Sequence, residues 1–141
     1  MSQDQIREIL EKYKVIAVVG LSKDPEKMSY KVSIYMQQHG YRIIPVNPFV
    51  DEVLGEKSFK NILDIPEEIQ KTIEIVNIFR RSEDIPPIAE QAIELKNKVG
   101  KPFAIWMQLG IVNEQAAESL RQSGLVVVMD KCLMVSHQHL F

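Results

Sequence analysis

Arg80 and Arg81 stand side by side directly after an apolar segment, residues 73–79, in a chain of 141 residues. A guanidinium group presents a fixed fork of N–H donors, and this fork can bind two phosphate oxygens at once. A single arginine at such a point is commonly a solvated surface charge. With two adjacent arginines, we expect at least one of them to face a bound anion.

A second pattern typical of anion binding follows the apolar segment 15–19. Gly20 and Ser22 precede a predicted helix that begins near Ser29. The first N–H groups of a helix are free and its N-terminal end is positive, so a phosphate is stabilised there. Residues 19–39 contain only one glycine, so the G-x-G-x-x-G pattern of dinucleotide-binding loops is missing. A glycine needed only for the turn is therefore the alternative interpretation.

The apolar segment 41–46 ends in Asn47 and Pro48, with no carboxylate at the turn. Folds that bind NAD usually place Asp or Glu at this point, where it holds the ribose 2′-hydroxyl. Asp51 and Glu52 lie further along the chain and fit this role less well. An NAD(P)-binding redox or sensor protein stays as the alternative function, since an arginine after the next strand can accommodate a 2′-phosphate.

Residues suited to catalysis or to metal binding do not occur together at the predicted strand ends. His39, His137 and His139 have no cysteine or carboxylate partners at the spacing of metal ligands. No nucleophile is accompanied by a base and an orienting group. A phosphate-receiving signalling module would need an aspartate after the third strand, where Phe79 and Arg80 stand. The sequence therefore predicts no catalytic residue and no metal site.

The elements that must position these residues are short apolar runs alternating with helical patterns. The runs lack polar alternation, which is typical of strands buried on both faces; they cover residues 15–19, 41–46, 73–79, 103–107 and 125–129. Helical periodicity covers residues 3–13 and recurs before Gly40, Gly100 and Gly124, with Ser82 or Asp84 and then Asn113 as caps of the last two helices. Residues 49–70 are expected to be irregular apart from a short helical turn near Pro66, and residues 130–141 to form a tail.

This alternation predicts an α/β fold with a five-stranded, mainly parallel sheet and helices on both faces. We expect a single domain that spans residues 1–141. Ligands of such sheets bind beyond the carboxyl ends of the strands, near the point where the strand order reverses. The five strand ends, which begin at Gly20, Asn47, Phe79, Met107 and Asp130, should therefore converge on one crevice.

The composition fits an ordinary globular domain, with 45% hydrophobic and 26% charged residues. A net charge of −2 argues against a dedicated nucleic-acid-binding protein. No apolar run approaches the roughly 20 residues that span a bilayer. The polar N-terminus has no signal core, and a single cysteine cannot form an internal disulfide, so the cytoplasm is the expected location.

Four segments, in order along the chain, carry a family likeness: VVGLS at 18–22, GYRIIPVNP at 40–48, VNIFRR at 76–81 and WMQLGI at 106–111. The stretch VMDKCLMV at 128–135 adds to it. Through them the chain resembles, over essentially its whole length, the small stand-alone CoA-binding proteins. Their fold is similar to the N-terminal domain of the succinyl-CoA synthetase α subunit. The resemblance implies a three-layer Rossmann-like fold and coenzyme A as the ligand.

The resemblance also implies which residues bind each part of coenzyme A. The pyrophosphate would be lined by Gly20, Leu21, Ser22 and Lys23, with Ser29 and Tyr30 next to them at the helix start. The adenosine and phosphate end would be flanked by Asn47, Pro48, Phe79, Arg80 and Arg81. The pantetheine arm would lie toward Met107 and Gln108. The synthetase has more glycine in its first loop, so phosphate contacts here must depend more on side chains.

Synthetase activity is not implied, because we expect no second domain bearing the synthetase's phosphorylated histidine in this chain. The expected function is non-catalytic binding of coenzyme A or acyl-CoA, as a carrier, as a sensor or as the partner of a separate acyl-CoA enzyme. No nucleic-acid or membrane partner is expected.

Cys132, the only cysteine, has two interpretations. It follows the fifth predicted strand, so it can lie near the ligand, and the neighbouring Lys131 would favour the thiolate. A mixed disulfide with the thiol of coenzyme A is then chemically feasible. The apolar neighbours Leu133, Met134 and Val135 instead indicate that Cys132 is buried as a small apolar residue. The sequence does not decide between the two.

Overall fold

A five-stranded parallel sheet forms the centre of the computed structural model, which describes all 141 residues. The strands along the chain are β1 (Val15–Val19), β2 (Arg42–Val46), β3 (Glu52–Val53), β4 (Glu56–Lys57), β5 (Ile75–Ile78), β6 (Ala104–Met107) and β7 (Val126–Val128). The order in the main sheet is β2-β1-β5-β6-β7, while β3 and β4 form a separate antiparallel hairpin. The direction of strand addition reverses beside β1, because β2 lies on one side of it and β5 on the other.

Six helices cover the two faces of this sheet: α1 (Gln3–Lys12), α2 (Met28–Gln38), α3 (Glu67–Gln70), α4 (Ile85–Val99), α5 (Glu114–Gln122) and α6 (Leu133–Leu140). Side chains of α1, α2 and α6 share one hydrophobic core, and those of α4 and α5 share the other. None of the helices combines the length and the apolar character that a membrane crossing requires. The predicted three-layer α/β fold, Rossmann-like in its layers and parallel strands, is confirmed.

The two cores explain why the strand segments lack polar alternation. In β1, Ile16 and Val18 belong to the core beneath α1, α2 and α6, whereas Ala17 between them belongs to the core beneath α4 and α5. Successive side chains of a strand point to opposite faces, so a sheet covered on both faces requires apolar residues at every position. Trp106 in β6 is fully buried by the same packing, and its Nε1 donates to the carbonyl of Lys131 at 2.8 Å.

The helix caps agree only in part with the sequence prediction. Asn113 caps α5, since its side-chain oxygen accepts from the backbone N–H of Ala116 at 3.0 Å. For α4 the predicted N-cap position is correct at Asp84, but neither of the proposed side chains bonds to the helix. Asp84 stands at the N-cap position, but its carboxylate accepts from a neighbouring arginine, and the hydroxyl of Ser82 accepts from the N–H of Val112 at 3.1 Å.

Two stretches are more ordered than the sequence indicated. Residues 49–70 contain the β3–β4 hairpin and a 3₁₀ turn at Ile62–Asp64 in addition to the helical turn α3 expected near Pro66. Most of the expected tail, residues 130–141, folds into α6, which begins at Leu133. Both features depend on contacts with distant parts of the chain, which local periodicity does not report.

Histidine and tyrosine side chains hold α6 in place. Tyr35 on α2 and His137 on α6 share a hydrogen bond of 2.8 Å, and the ring of Tyr41 meets His137 edge-on at 5.7 Å. Burial lowers the pKa of His137, and the nearby positive charges of His39 and Lys14 lower it further. Burial also raises the pKa of Tyr41 to about 12. The packing of α6 therefore favours a neutral His137.

Candidate functional site

The ends of β1 and β5 touch where the strand order reverses. Gly20 has φ of +88°, and a Cβ atom on it would lie 2.6 Å from the carbonyl oxygen of Phe79. The N–H of Gly20 donates to the carbonyl of Val46 at 2.8 Å. The N–H of Phe79 donates to the carbonyl of Val19, also at 2.8 Å. The close approach of the backbone at Phe79 therefore requires a glycine at position 20, whether or not a ligand binds. This supports the interpretation that Gly20 is needed for the turn.

Two adjoining cavities open above this contact, and together we call them the switch-point site. The first has a volume of about 310 Å³ and is lined by residues that include Gly20, Pro48, Lys60, Arg80 and Asp84. The second, of about 270 Å³, is lined by Gly20, Asn47, Phe49, Phe79, Arg80, Arg81 and Asp84. The structure thus brings together six of the predicted residues, from the ends of β1, β2 and β5: Gly20, Asn47, Pro48, Phe79, Arg80 and Arg81.

A carboxylate holds both arginines at the mouth of the site. The Oδ2 atom of Asp84 lies 3.2 Å from Nε of Arg81 and 3.5 Å from Nη2 of Arg80. The hydrogen bond from Arg81 lowers the pKa of Asp84, and the same bond raises the pKa of Arg81. Arg81 also pairs with Glu83, and 75% of its side chain is exposed, against 44% for Arg80. Arg80, which lines both cavities, is therefore the better placed of the two for a ligand.

Lys60 and Asn61 enter the first cavity from a stretch in which the sequence indicated no site. After the β3–β4 hairpin the chain returns to the end of β2, where Val46 and Phe59 form a parallel bridge. The N–H of Asn47 donates to the carbonyl of Phe59 at 2.8 Å. Because of this bridge, Lys60 lines the same cavity as Gly20 and reaches it from the β2 side, whereas Arg80 reaches it from the end of β5. No local pattern in the sequence indicates this position of Lys60.

Phe49 is a second residue that the sequence analysis missed. Its ring borders the smaller cavity, yet 86% of the residue is exposed. Its N–H donates to Oδ1 of Asn47 at 2.9 Å, while Nδ2 of Asn47 donates to the carbonyl of Leu21 at 3.0 Å. The side chain of Asn47 thus ties the loops after β1 and β2 together, and the flat face of Phe49 is left open beside the arginines.

Gly20 is the only residue of the loop from β1 to α2 that lines the two cavities. The N–H of Ser22 donates to Oγ of Ser29 at 2.9 Å, and Oγ of Ser22 accepts from Asp24 at 3.0 Å. No side chain caps α2, so its first N–H groups stay available to an anion. Lys23 on this loop is exposed, whereas Tyr30 packs against the core beneath α1, α2 and α6.

Three of the predicted residues direct their side chains into the protein. Leu21 and Met107 are fully buried in the two cores, and Gln108 is 4% exposed. The Oε1 atom of Gln108 accepts from the N–H of Leu133 at 2.9 Å, which fixes the start of α6. Packing sets these directions, so only the backbone of these residues lies at the sheet edge. The neighbouring Leu109, 71% exposed, presents its side chain there instead.

Cys132 is buried, with 8% of its surface exposed, in the core shared with Leu133 and Trp106. Its position supports the interpretation as a small apolar residue, although it also borders a separate cavity between α1 and α6. No group of three or more histidine, cysteine or carboxylate side chains is arranged to hold a metal ion.

Comparison with known proteins gives three findings. Residues 14–138 match the sequence model of a family described as a CoA binding domain. An uncharacterized protein of Bacillus subtilis, YneT, is 46% identical over 136 residues, which are 96% of this chain and 94% of that protein. A solved structure of a protein from Pyrococcus horikoshii is 36% identical, with a TM-score of 0.88 over 99% of this chain and 92% of the other.

An enzyme relative matches over part of its length only. The ADP-forming acetate–CoA ligase of Methanocaldococcus jannaschii is 24% identical over 135 residues, and the match covers 90% of this chain but 18% of the ligase. This chain therefore corresponds to one segment of that ligase.

Proposed function

The chain belongs to the CoA-binding domain family, and from this premise we propose that it binds coenzyme A or an acyl-CoA in the switch-point site without catalysing a reaction. The observation that carries the proposal is the meeting of Gly20, Lys60 and Arg80 around one cavity at the carboxyl edge of the sheet. Parallel α/β sheets bind their ligands at this edge, where the strand order reverses.

The phosphates of coenzyme A are the natural partners of this cavity. Lys60 and Arg80 supply positive charge to the cavity from two different loops. The uncapped N-terminus of α2, at the far end of the loop that begins with Gly20, leaves free N–H groups that favour an anion. Charge-assisted hydrogen bonds to phosphate are stronger than neutral ones. The pairing of Asp84 with both arginines keeps their guanidinium groups near the mouth before the ligand arrives.

The adenine base would lie against Phe49. An exposed aromatic ring beside cationic side chains offers a stacking surface that any base can use. Phe49 stands at the end of β2 together with Pro48, where the sequence places no carboxylate for the ribose of NAD. This arrangement favours coenzyme A over NAD as the ligand.

A non-catalytic role as carrier, sensor or partner of a separate acyl-CoA enzyme is the remaining part of the proposal. The residues lining the two cavities include no histidine and no cysteine, and their two carboxylates, Glu83 and Asp84, both pair with Arg81. The match with the acetate–CoA ligase covers 18% of that enzyme, so its activity is not carried over to this chain. We place the protein in the cytoplasm because its lone cysteine provides no internal disulfide.

The test is a calorimetric titration with coenzyme A, dephospho-CoA, NAD and NADP. We expect coenzyme A to bind most tightly, and Arg80→Ala to weaken its binding by about 10- to 150-fold, the equivalent of roughly 1.5–3 kcal/mol for a charge-assisted hydrogen bond. Arg121→Ala is the matched control, since 44% of the Arg121 side chain is exposed and it pairs with Glu118 on the distant helix α5. Tighter binding of NAD than of coenzyme A would overturn the proposal.

The absence of catalysis has a separate test. Purified protein incubated with acetyl-CoA should release no free thiol above the rate in buffer, because the site holds no activated nucleophile or base. Turnover that is proportional to protein concentration and is lost in Arg80→Ala would show that the protein is an enzyme.

A further inference from the structure

A cavity between α1 and α6 is not used by the proposed function. Its volume is about 310 Å³, equal to that of the larger cavity of the switch-point site. We call it the α1–α6 groove; its walls include Ile6, Leu109, Lys131, Cys132, Val135 and Leu140. The groove lies on the opposite side of the sheet from α4 and α5, in the layer formed by α1, α2 and α6.

Half of the residues that line the groove are apolar, and the chain leaves two of these largely uncovered. The polar half is Gln3, Asp130, Lys131, Ser136 and His139. Leu109 is 71% exposed and Val135 is 54% exposed, and both border the groove together with the largely buried Ile6. Single exposed apolar residues are common on protein surfaces, whereas several around one concave surface are typical of a binding site for an apolar group. Cys132, 8% exposed, also borders the groove.

The mouth of the groove lies at the same edge of the sheet as the switch-point site. Leu109 and Lys131 follow the ends of β6 and β7, and the N–H of Gly110 donates to Oδ1 of Asp130 at 2.7 Å between these two loops. Because neighbouring strands lie about 4.8 Å apart, the end of β6 is one strand spacing from that of β5. The larger cavity of the switch-point site is lined by Pro87 and Ile88 of α4 and the groove by α1 and α6, so the two lie on opposite faces of the sheet. The ends of β5 and β6 lie between them at this shared edge.

We propose that the α1–α6 groove binds the acyl group of a CoA thioester whose nucleotide part lies in the switch-point site. This inference rests on the proposed function and specifies its ligand as a thioester of an apolar acyl chain. The long flexible arm between the phosphates and the sulfur of coenzyme A would pass over the ends of β5 and β6. Its amide groups would meet the polar rim at Lys131, and the hydrocarbon would enter between Leu109 and Val135.

The experiment is a calorimetric series with coenzyme A and its acetyl, butyryl and hexanoyl thioesters. We expect the affinity to rise with chain length by about two- to fourfold per methylene, the upper value being that of full burial. Val135→Asp places a charge in the groove and should abolish this dependence while leaving the affinity for free coenzyme A unchanged. Gln138→Asp adds the same charge to the same helix at an exposed residue that does not line the groove, and should keep the dependence.

Leu109→Asp provides a second variant on the opposite wall, outside any helix and at a residue exposed enough to tolerate the change. It too should abolish the chain-length dependence. A flat series for the wild-type protein with normal binding of coenzyme A would overturn this inference and leave the proposed function standing. A dependence that persists in both groove variants would also overturn it. Failure of all four ligands to bind would instead overturn the proposed function itself.

Discussion

Replacing Gly20 with alanine tests whether the contact between the ends of β1 and β5 shapes the site. The added Cβ would lie 2.6 Å from the carbonyl oxygen of Phe79, 3.2 Å from its carbonyl carbon and 3.3 Å from Cδ of Arg80. The first two atoms are backbone, so the clash cannot be relieved by rotating a side chain. The loop that carries Arg80 must move away from the loop after β1.

The expected loss of stability has two parts. Alanine in the left-handed region, where φ of Gly20 is +88°, costs about 1–2 kcal/mol. Overpacking of a fixed neighbour adds about 1–3 kcal/mol. Gly124→Ala separates these parts, because Gly124 also has φ of +88° but has no other atom within 4 Å of the position of a Cβ. Gly20→Ala should therefore lower the free energy of unfolding by about 2–5 kcal/mol, and Gly124→Ala by the first amount alone.

Urea denaturation followed by circular dichroism measures both losses, and calorimetry on the folded variants measures the binding of coenzyme A. We expect Gly20→Ala to weaken binding at least about tenfold, since displacement of Arg80 removes a charge-assisted contact. Gly124 precedes β7 at the far edge of the sheet, so its variant should bind normally. Equal losses of stability in the two variants, or unchanged binding by Gly20→Ala, would refute the role assigned to this contact.

Two other predictions concern the exposed ring and the packing of α6. Phe49→Ala should weaken binding of coenzyme A by the equivalent of about 1–3 kcal/mol, the usual value of base stacking, without lowering the melting temperature. The control Phe49→Tyr keeps an aromatic ring and should bind normally. Unchanged binding by the alanine variant would show that the adenine base does not stack on Phe49. The free energy of unfolding should fall as the pH drops below about 6.5, because the unfolded chain takes up a proton that His137, with its lowered pKa, resists. Urea titrations at about pH 7.5 and about pH 5 measure how much the free energy of unfolding falls between the two pH values. This fall should be smaller in His137→Gln and unchanged in the exposed control His139→Gln. An equal fall in all three proteins would contradict the role of His137.

The five main strands could be predicted because each is an apolar run bounded by a turn. The β3–β4 hairpin could not, because its strands are two residues long and present no alternation to detect. Helix α6 was missed for a different reason. Its sequence contains valine, serine and histidine and has no regular apolar face, and it is held by Tyr35 and by the side chain of Gln108. Tertiary contacts of this kind outweigh local propensity.

The candidate site was predicted where the residue directly follows a strand, as for Gly20 and Arg80. Lys60 and Phe49 were missed because a parallel bridge and a side-chain hydrogen bond bring them back to the strand ends, and neither leaves a local pattern. The opposite error occurred at Leu21 and Met107, whose backbone lies at the sheet edge while the side chain is buried. Position after a strand determines where the backbone lies, and packing determines the direction of the side chain.

The single glycine of the first loop has a consequence for how the site holds phosphate. In glycine-rich loops the missing side chains let the backbone approach the ligand. Here the space beside Gly20 is occupied by the carbonyl group of Phe79, so this glycine serves the approach of one loop to another. The backbone alone therefore offers less to an anion than a glycine-rich loop does. Lys60 and Arg80, from two different loops, must supply the difference, which is why binding should depend on side chains outside the first loop.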